Sequence, residues 1–191
     1  MTLPLALLAA VLLKPDAPAP PVVAALARAF APWQTLFSDS KVLSTGVVAV
    51  HIVALLFGGG LAIAADRASL RLARAGRAAG PGAAEDERRL LADLGAVHRP
   101  VVIALAFVFV SGALLAAADV KTYALAWVFW LKLGLVALLL VNGVVLERAE
   151  SGLRRGVGTA GHWRRLRAAS WASLALWTAT TVVGVALTNV A

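Results

Sequence analysis

Four long apolar runs set the pattern of the chain, at about residues 42–65, 101–120, 122–146 and 168–190. Each can cross a hydrocarbon core of about 30 Å, which takes about 20 helical residues at about 1.5 Å each. Charges bound them: Lys41 and Asp66, Arg99 and Asp119, Lys121 and Glu147, and Arg167 ahead of the last. The pattern predicts an all-α integral membrane protein, a four-transmembrane-helix bundle over residues 41–191. Residues 1–40 form an apolar and amphipathic interfacial segment with short amphipathic N-terminal helices.

Polar positions between the runs refine this picture. Glu85–Val97 carries Leu90, Leu91, Leu94 and Val97 at helical spacing beneath a charged face, which predicts a helix leading into the second span, with Pro100 kinking or restarting it. Gly76, Gly80, Pro81 and Gly82 break the chain before that helix, and Gly152, Gly156, Gly158 and Gly161 loosen the later loop. Leu3–Leu13 is too short to span and precedes a proline-rich stretch. It reads as a re-entrant or interfacial helix, with a signal peptide as the other reading. Residues 22–37, with Val22, Val23, Leu26, Phe30, Trp33 and Leu36, read as an amphipathic stretch along the outer membrane surface.

Composition agrees: 61% of residues are hydrophobic and 15% charged, too few charges for an ordinary soluble surface. The net charge of +8 is not a nucleic-acid footprint, because the excess arginine lies in two short loops. Arg67, Arg71, Arg74, Arg77, Arg88 and Arg89 occupy one, and Arg148, Arg154, Arg155, Arg164, Arg165 and Arg167 the other. The positive-inside rule predicts that loops 66–97 and 147–167 face the cytoplasm across a bacterial inner membrane, with the C-terminus periplasmic or extracellular. The chain has no Cys, and its single Met is Met1, so thiol catalysis and soft sulfur ligands for copper are excluded. P-loop, GxSxG, HExxH and CxxC motifs are missing as well.

Candidate chemistry lies where polar residues enter the runs, since ionisable groups in hydrocarbon are costly and mark functional sites. His51 and Lys132 each fall roughly 14–15 Å below the outer boundary at the helical rise. Ser111, Thr178, Thr180 and Thr181 reach a comparable level, so all four spans contribute to one polar layer. His51 shares a face with Leu55, Gly58, Ala62 and Ala65, a small-residue stripe suited to close packing or to a flat ligand. The layer reads as a site for haem b, a quinone, an anion or a proton, with His51 as the metal ligand of the haem version. The competing reading is helix–helix glue, and the runs hold no carboxylate for a conventional proton relay. His98 and His162 share the inner boundary level, where a haem pair competes with headgroup contacts and helix-end caps. A His51–His98 pair is excluded by a depth difference of about 20 Å. Gly58, Gly59 and Gly60 read as close helix packing, and Asn142 and Glu147 as helix-end groups.

A resemblance rests on His51-Ile52-Val53-Ala54-Leu55-Leu56-Phe57-Gly58-Gly59-Gly60, Asp66-Arg67, Val108 through Asp119 with its Ser111-Gly112, Phe129-Trp130-Leu131-Lys132-Leu133, and Asn142-Gly143. Over roughly residues 42–147 the chain resembles small bacterial inner-membrane proteins of unknown function. More remotely, it is similar to the membrane domain of copper-resistance protein D. The resemblance implies a four-helix inner-membrane bundle with His51, Ser111 and Lys132 as motif positions. The functional expectation is a bundle binding a small redox-related ligand, haem b or quinone, near His51 and Lys132, with His98 and Thr178 as further contacts. The alternatives are a non-catalytic accessory or assembly subunit of a membrane complex, a homo-oligomer among them, and a small anion or copper transporter.

Overall fold

The computed structural model describes residues 19–75, 83–155 and 160–190. Leu3–Leu13 and the breaks expected at Gly76, Gly80, Pro81, Gly82, Gly156 and Gly158 lie outside the described residues. The protein is all-α. Its described helices are α1 (Pro21–Ala29), α2 (Ala31–Asp39), α3 (Lys41–Ala75), α4 (Ala83–Ala118), α5 (Val120–Leu125), α6 (Trp127–Arg154) and α7 (Ala160–Val190). Helices α3, α4, α6 and α7 are each long and apolar enough to cross a membrane. They form a four-helix bundle in which α3 packs on α4 and α7, and α6 on α7 and α4.

These helices outlast the apolar runs that start them. The 35 residues of α3 extend about 50 Å, well beyond a core of about 30 Å, and the surplus falls at the arginine-rich end. There the bundle closes on a dry core of Leu72, Leu91, Leu94, Ala149, Leu153 and Leu166, with Leu146 and Trp163 packed against it. Along the spans the large side chains instead point outward, as Val53, Leu56, Phe57, Phe109, Val141 and Val182 do. The reason is that lipid is as good a solvent for them as the bundle interior.

Two expectations change. Helix α4 runs unbroken through Pro100, so the segment from Glu85 is the start of the second spanning helix and not a separate one. Proline removes one amide donor, while burial of Leu91 and Leu94 anchors the turns before it. The run 122–146 instead divides at Ala126, whose extended backbone separates α5 from α6. Asp119 caps α5 by accepting from the Thr122 amide at 3.2 Å. The Trp130 indole then donates to the Ala124 carbonyl at 2.9 Å, satisfying an acceptor that the break exposes. Lys132 thus lies five residues into its own helix, and counting from Thr122 along a single helix does not give its depth.

The amphipathic α2 folds against the end of α4, where helix carbonyls lack intrahelical donors. Trp33 Nε1 donates to Leu114 O at 2.9 Å, and Gln34 Nε2 to Ala117 O at 3.3 Å. Midway along the spans, α3 and α4 approach closely at Gly58, where an added Cβ would lie 2.8 Å from the Cβ of Ala104. Gly60 has open space around it. Gly58→Leu is therefore expected to cost about 1–3 kcal/mol by overpacking, read as a lower unfolding midpoint in detergent, while Gly60→Leu leaves that midpoint nearly unchanged.

Candidate functional site

The half of the bundle away from the arginine-rich end brings His51 of α3 and Ser111 of α4 together, with His51 Nδ1 2.9 Å from Ser111 Oγ. Gly112, the next residue, makes room for the ring: a Cβ there would sit 3.2 Å from His51 Cε1. On the other helix pair, Lys132 of α6 lies over Gly184 of α7, where a Cβ would meet its Nζ at 3.3 Å. Lys132 is within electrostatic reach of His51. Both side chains are half-buried, each on the inward face of its helix, with Ala54 and Gly58 beside His51 on α3 and Val128 and Leu139 beside Lys132 on α6.

Donor and acceptor roles follow from the neighbours. Ser111 Oγ also sits at hydrogen-bond distance from the Phe107 carbonyl, which can only accept, so the single hydroxyl proton points there. Ser111 Oγ then accepts from His51 Nδ1–H. In the neutral imidazole that assignment leaves an unprotonated Nε2 lone pair. One acceptor, Nε2, and one strong donor, Lys132 Nζ, belong to the same layer.

A haem iron would take His51 Nε2 as an axial ligand, with Nδ1–H held by Ser111 as outer partners of metal-bound histidines commonly are. A second histidine is not brought to this level. His98 lies at the arginine-rich end with Nε2 4.0 Å from Glu147 Oε2, and His162 packs over Gly152. Among the described residues no three His, Cys, Asp or Glu side chains converge as a metal site. The fit is to one axial bond.

The threonines separate. Thr178 is exposed and donates to its own helix at Leu174 O, 2.9 Å, so it faces away from His51; Thr181 likewise bonds Trp177 O at 2.9 Å. Thr180 is the buried one. It belongs to a row along α7, Ser170, Ser173, Trp177 and Thr180, that is buried throughout and continues to Gly184. Spacings of three and four residues put this row on one helix face. Asn142 of α6 donates to the Ala169 carbonyl of α7 at 2.9 Å, an interhelical bond and not a helix end.

At the arginine-rich end of that row the structure holds a feature the sequence reading missed. Asp66 and Glu150 are buried within the bundle, 1% and 4% exposed, although both lie just past the apolar runs. They line a cavity of about 230 Å³ with Ser173, Trp177, His98 and the small residues Ala62 and Ala65. The available signal was register. Asp66 and Ser69 extend the Gly58–Ala62 stripe by one helical turn each, and Glu150 falls in step with Leu139, Leu146 and Leu153 on α6.

Comparison of the chain with family models, curated proteins and solved structures returned no match. The His51–Ser111 bond makes a local prediction. Ser111→Ala leaves the imidazole donor unsatisfied and is expected to destabilise the bundle by about 1–3 kcal/mol. In a double-mutant cycle with His51→Ala, read by thermal unfolding in detergent, the combined loss should be smaller than the sum of the single losses.

Proposed function

We propose that the chain is a multi-pass protein of a bacterial inner membrane, with both arginine-rich loops in the cytoplasm, whose bundle binds a quinone-class ligand between His51 and Lys132. The observation that carries this reading is the bond from His51 Nδ1 to Ser111, because it frees Nε2 as an acceptor in the layer where Lys132 offers a donor. A quinone headgroup carries two carbonyl oxygens that accept from an ammonium, and its reduced form carries hydroxyls that donate to an imidazole nitrogen. Both side chains are only partly buried, which supports a ligand that can still reach them. Haem b bound through the same Nε2 is the second form of the reading, favoured by that one lone pair.

Titration of the purified protein with a short-tailed ubiquinone, followed by tryptophan fluorescence, tests the proposal. Saturable quenching is expected, weakened roughly tenfold or more by His51→Ala and by Lys132→Met, as loss of one charge-assisted hydrogen bond implies. Thr178→Val should bind as wild type. Absence of saturable quenching, or binding unaffected in both site variants, sinks the quinone reading. A Soret band that shifts on dithionite reduction identifies the haem form instead.

The orientation has its own test, helped by the lack of native cysteine. On intact cells, a membrane-impermeant maleimide should label Thr188→Cys and leave Arg165→Cys unlabelled. The reverse pattern inverts the topology.

A further inference from the structure

The arginine-rich end of the bundle gathers oxygen atoms that bond to nothing. Both carboxylate oxygens of Asp66 are buried without a hydrogen-bond partner, and so are the hydroxyls of Ser69 and Ser170. Ser173 lies close enough to Asp66, and Ser69 to Glu150, for each hydroxyl to donate to the carboxylate, although the contacts fall short of a well-formed hydrogen bond. Serine and threonine inside helices ordinarily return their hydroxyl to a carbonyl of the preceding turn. Thr35, Ser44, Thr178 and Thr181 do so in this chain. Ser69 and Ser170 do not, though both are fully buried. An unpaired buried hydroxyl costs about 1–3 kcal/mol and an uncompensated buried carboxylate more, so the arrangement wants a partner that presents positive charge to several oxygens at once.

The charge balance selects its class. Arg154 reaches Glu150, with Nη1 3.6 Å from Oε2, and so compensates one carboxylate. When ionised, Asp66 adds one negative charge that no ion pair among the described residues balances, in a cavity of about 230 Å³, room for several waters at about 30 Å³ each. A single monovalent ion neutralises it, whereas a divalent ion overshoots. The buried side-chain atoms left unpaired there are all oxygens, which suit a hard cation.

We infer that Asp66 and Glu150, with the hydroxyls of Ser69, Ser170 and Ser173, form a binding site for a small monovalent cation of the sodium class. The site is separate from the His51–Lys132 layer, and the row Ser173, Trp177, Thr180 on α7 connects the two along the bundle interior. It does not depend on a quinone binding above it.

Equilibrium binding of ²²Na⁺ to the full chain in detergent micelles, at constant ionic strength set with choline chloride, tests the inference. The expected result is saturable, stoichiometric uptake that excess unlabelled NaCl displaces and choline does not. Asp66→Asn should weaken it roughly tenfold or more, as loss of a charged ligand implies. Ser173→Ala should weaken it less, and the lipid-facing Thr178→Val should not change it. Should Asp66→Asn fail to fold, Glu150→Gln and Ser170→Ala carry the same comparison. Wild-type uptake no greater than the choline background, as a carboxylate pair holding only a proton would give, overturns the inference. So does uptake unchanged in every folded site variant.

Discussion

Helices that face hydrocarbon on the outside gain little by burying more hydrocarbon on the inside, and this constraint governs the bundle. What distinguishes one arrangement of α3, α4, α6 and α7 from another is close backbone approach and polar bonding between helices. Gly58 against Ala104 supplies the first. His51 to Ser111 and Asn142 to the Ala169 carbonyl supply the second. Among the described residues, the conventional hydrophobic core around Leu91 and Leu166 forms where the helices run past the apolar segments and water again provides a driving force.

The same constraint explains how polar residues are distributed. A serine or threonine on the lipid face must bond its own helix, and Thr178 does. The row from Ser170 to Thr180 on α7 is turned into the bundle, which makes α7 the least apolar of the four spanning helices. That row joins two unlike sites. One, at His51 and Lys132, has an acceptor and a donor set by its hydrogen bonds. The other, at Asp66 and Glu150, is rich in acceptors and poor in donors, which is why the first suits a headgroup with oxygen functions and the second a cation.

Much of the candidate site around His51 and Lys132 was legible in advance, since only six ionisable or hydroxyl-bearing positions recur at similar depth and helical rise relates depth to residue number. The choice between Thr178 and Thr180 was not legible, because two residues on a helix differ by about 200° in facing and only the partner helices decide which face is inside. Asp66 was read as a boundary charge and Glu150, just past the boundary charge Glu147, was not singled out, because the apolar runs stop beside them. The helices nevertheless continue, and their neighbours bury both carboxylates. Lys132 was placed by counting from Thr122, and the break at Ala126, sealed by the Trp130 indole, has no proline or glycine to announce it.

The sequence by itself determined the number of spanning helices, their all-α character, the ends enriched in arginine and the residues able to carry chemistry within the membrane. These depend on the length and hydropathy of contiguous segments, quantities that are local to the chain. Tertiary structure decided which face of each helix is interior, the tautomer of His51 through Ser111, and the enclosure of Asp66 and Glu150. Each of these is a relation between segments as many as a hundred residues apart, and in a solvent as apolar as the side chains themselves no hydrophobic pattern along one helix specifies it.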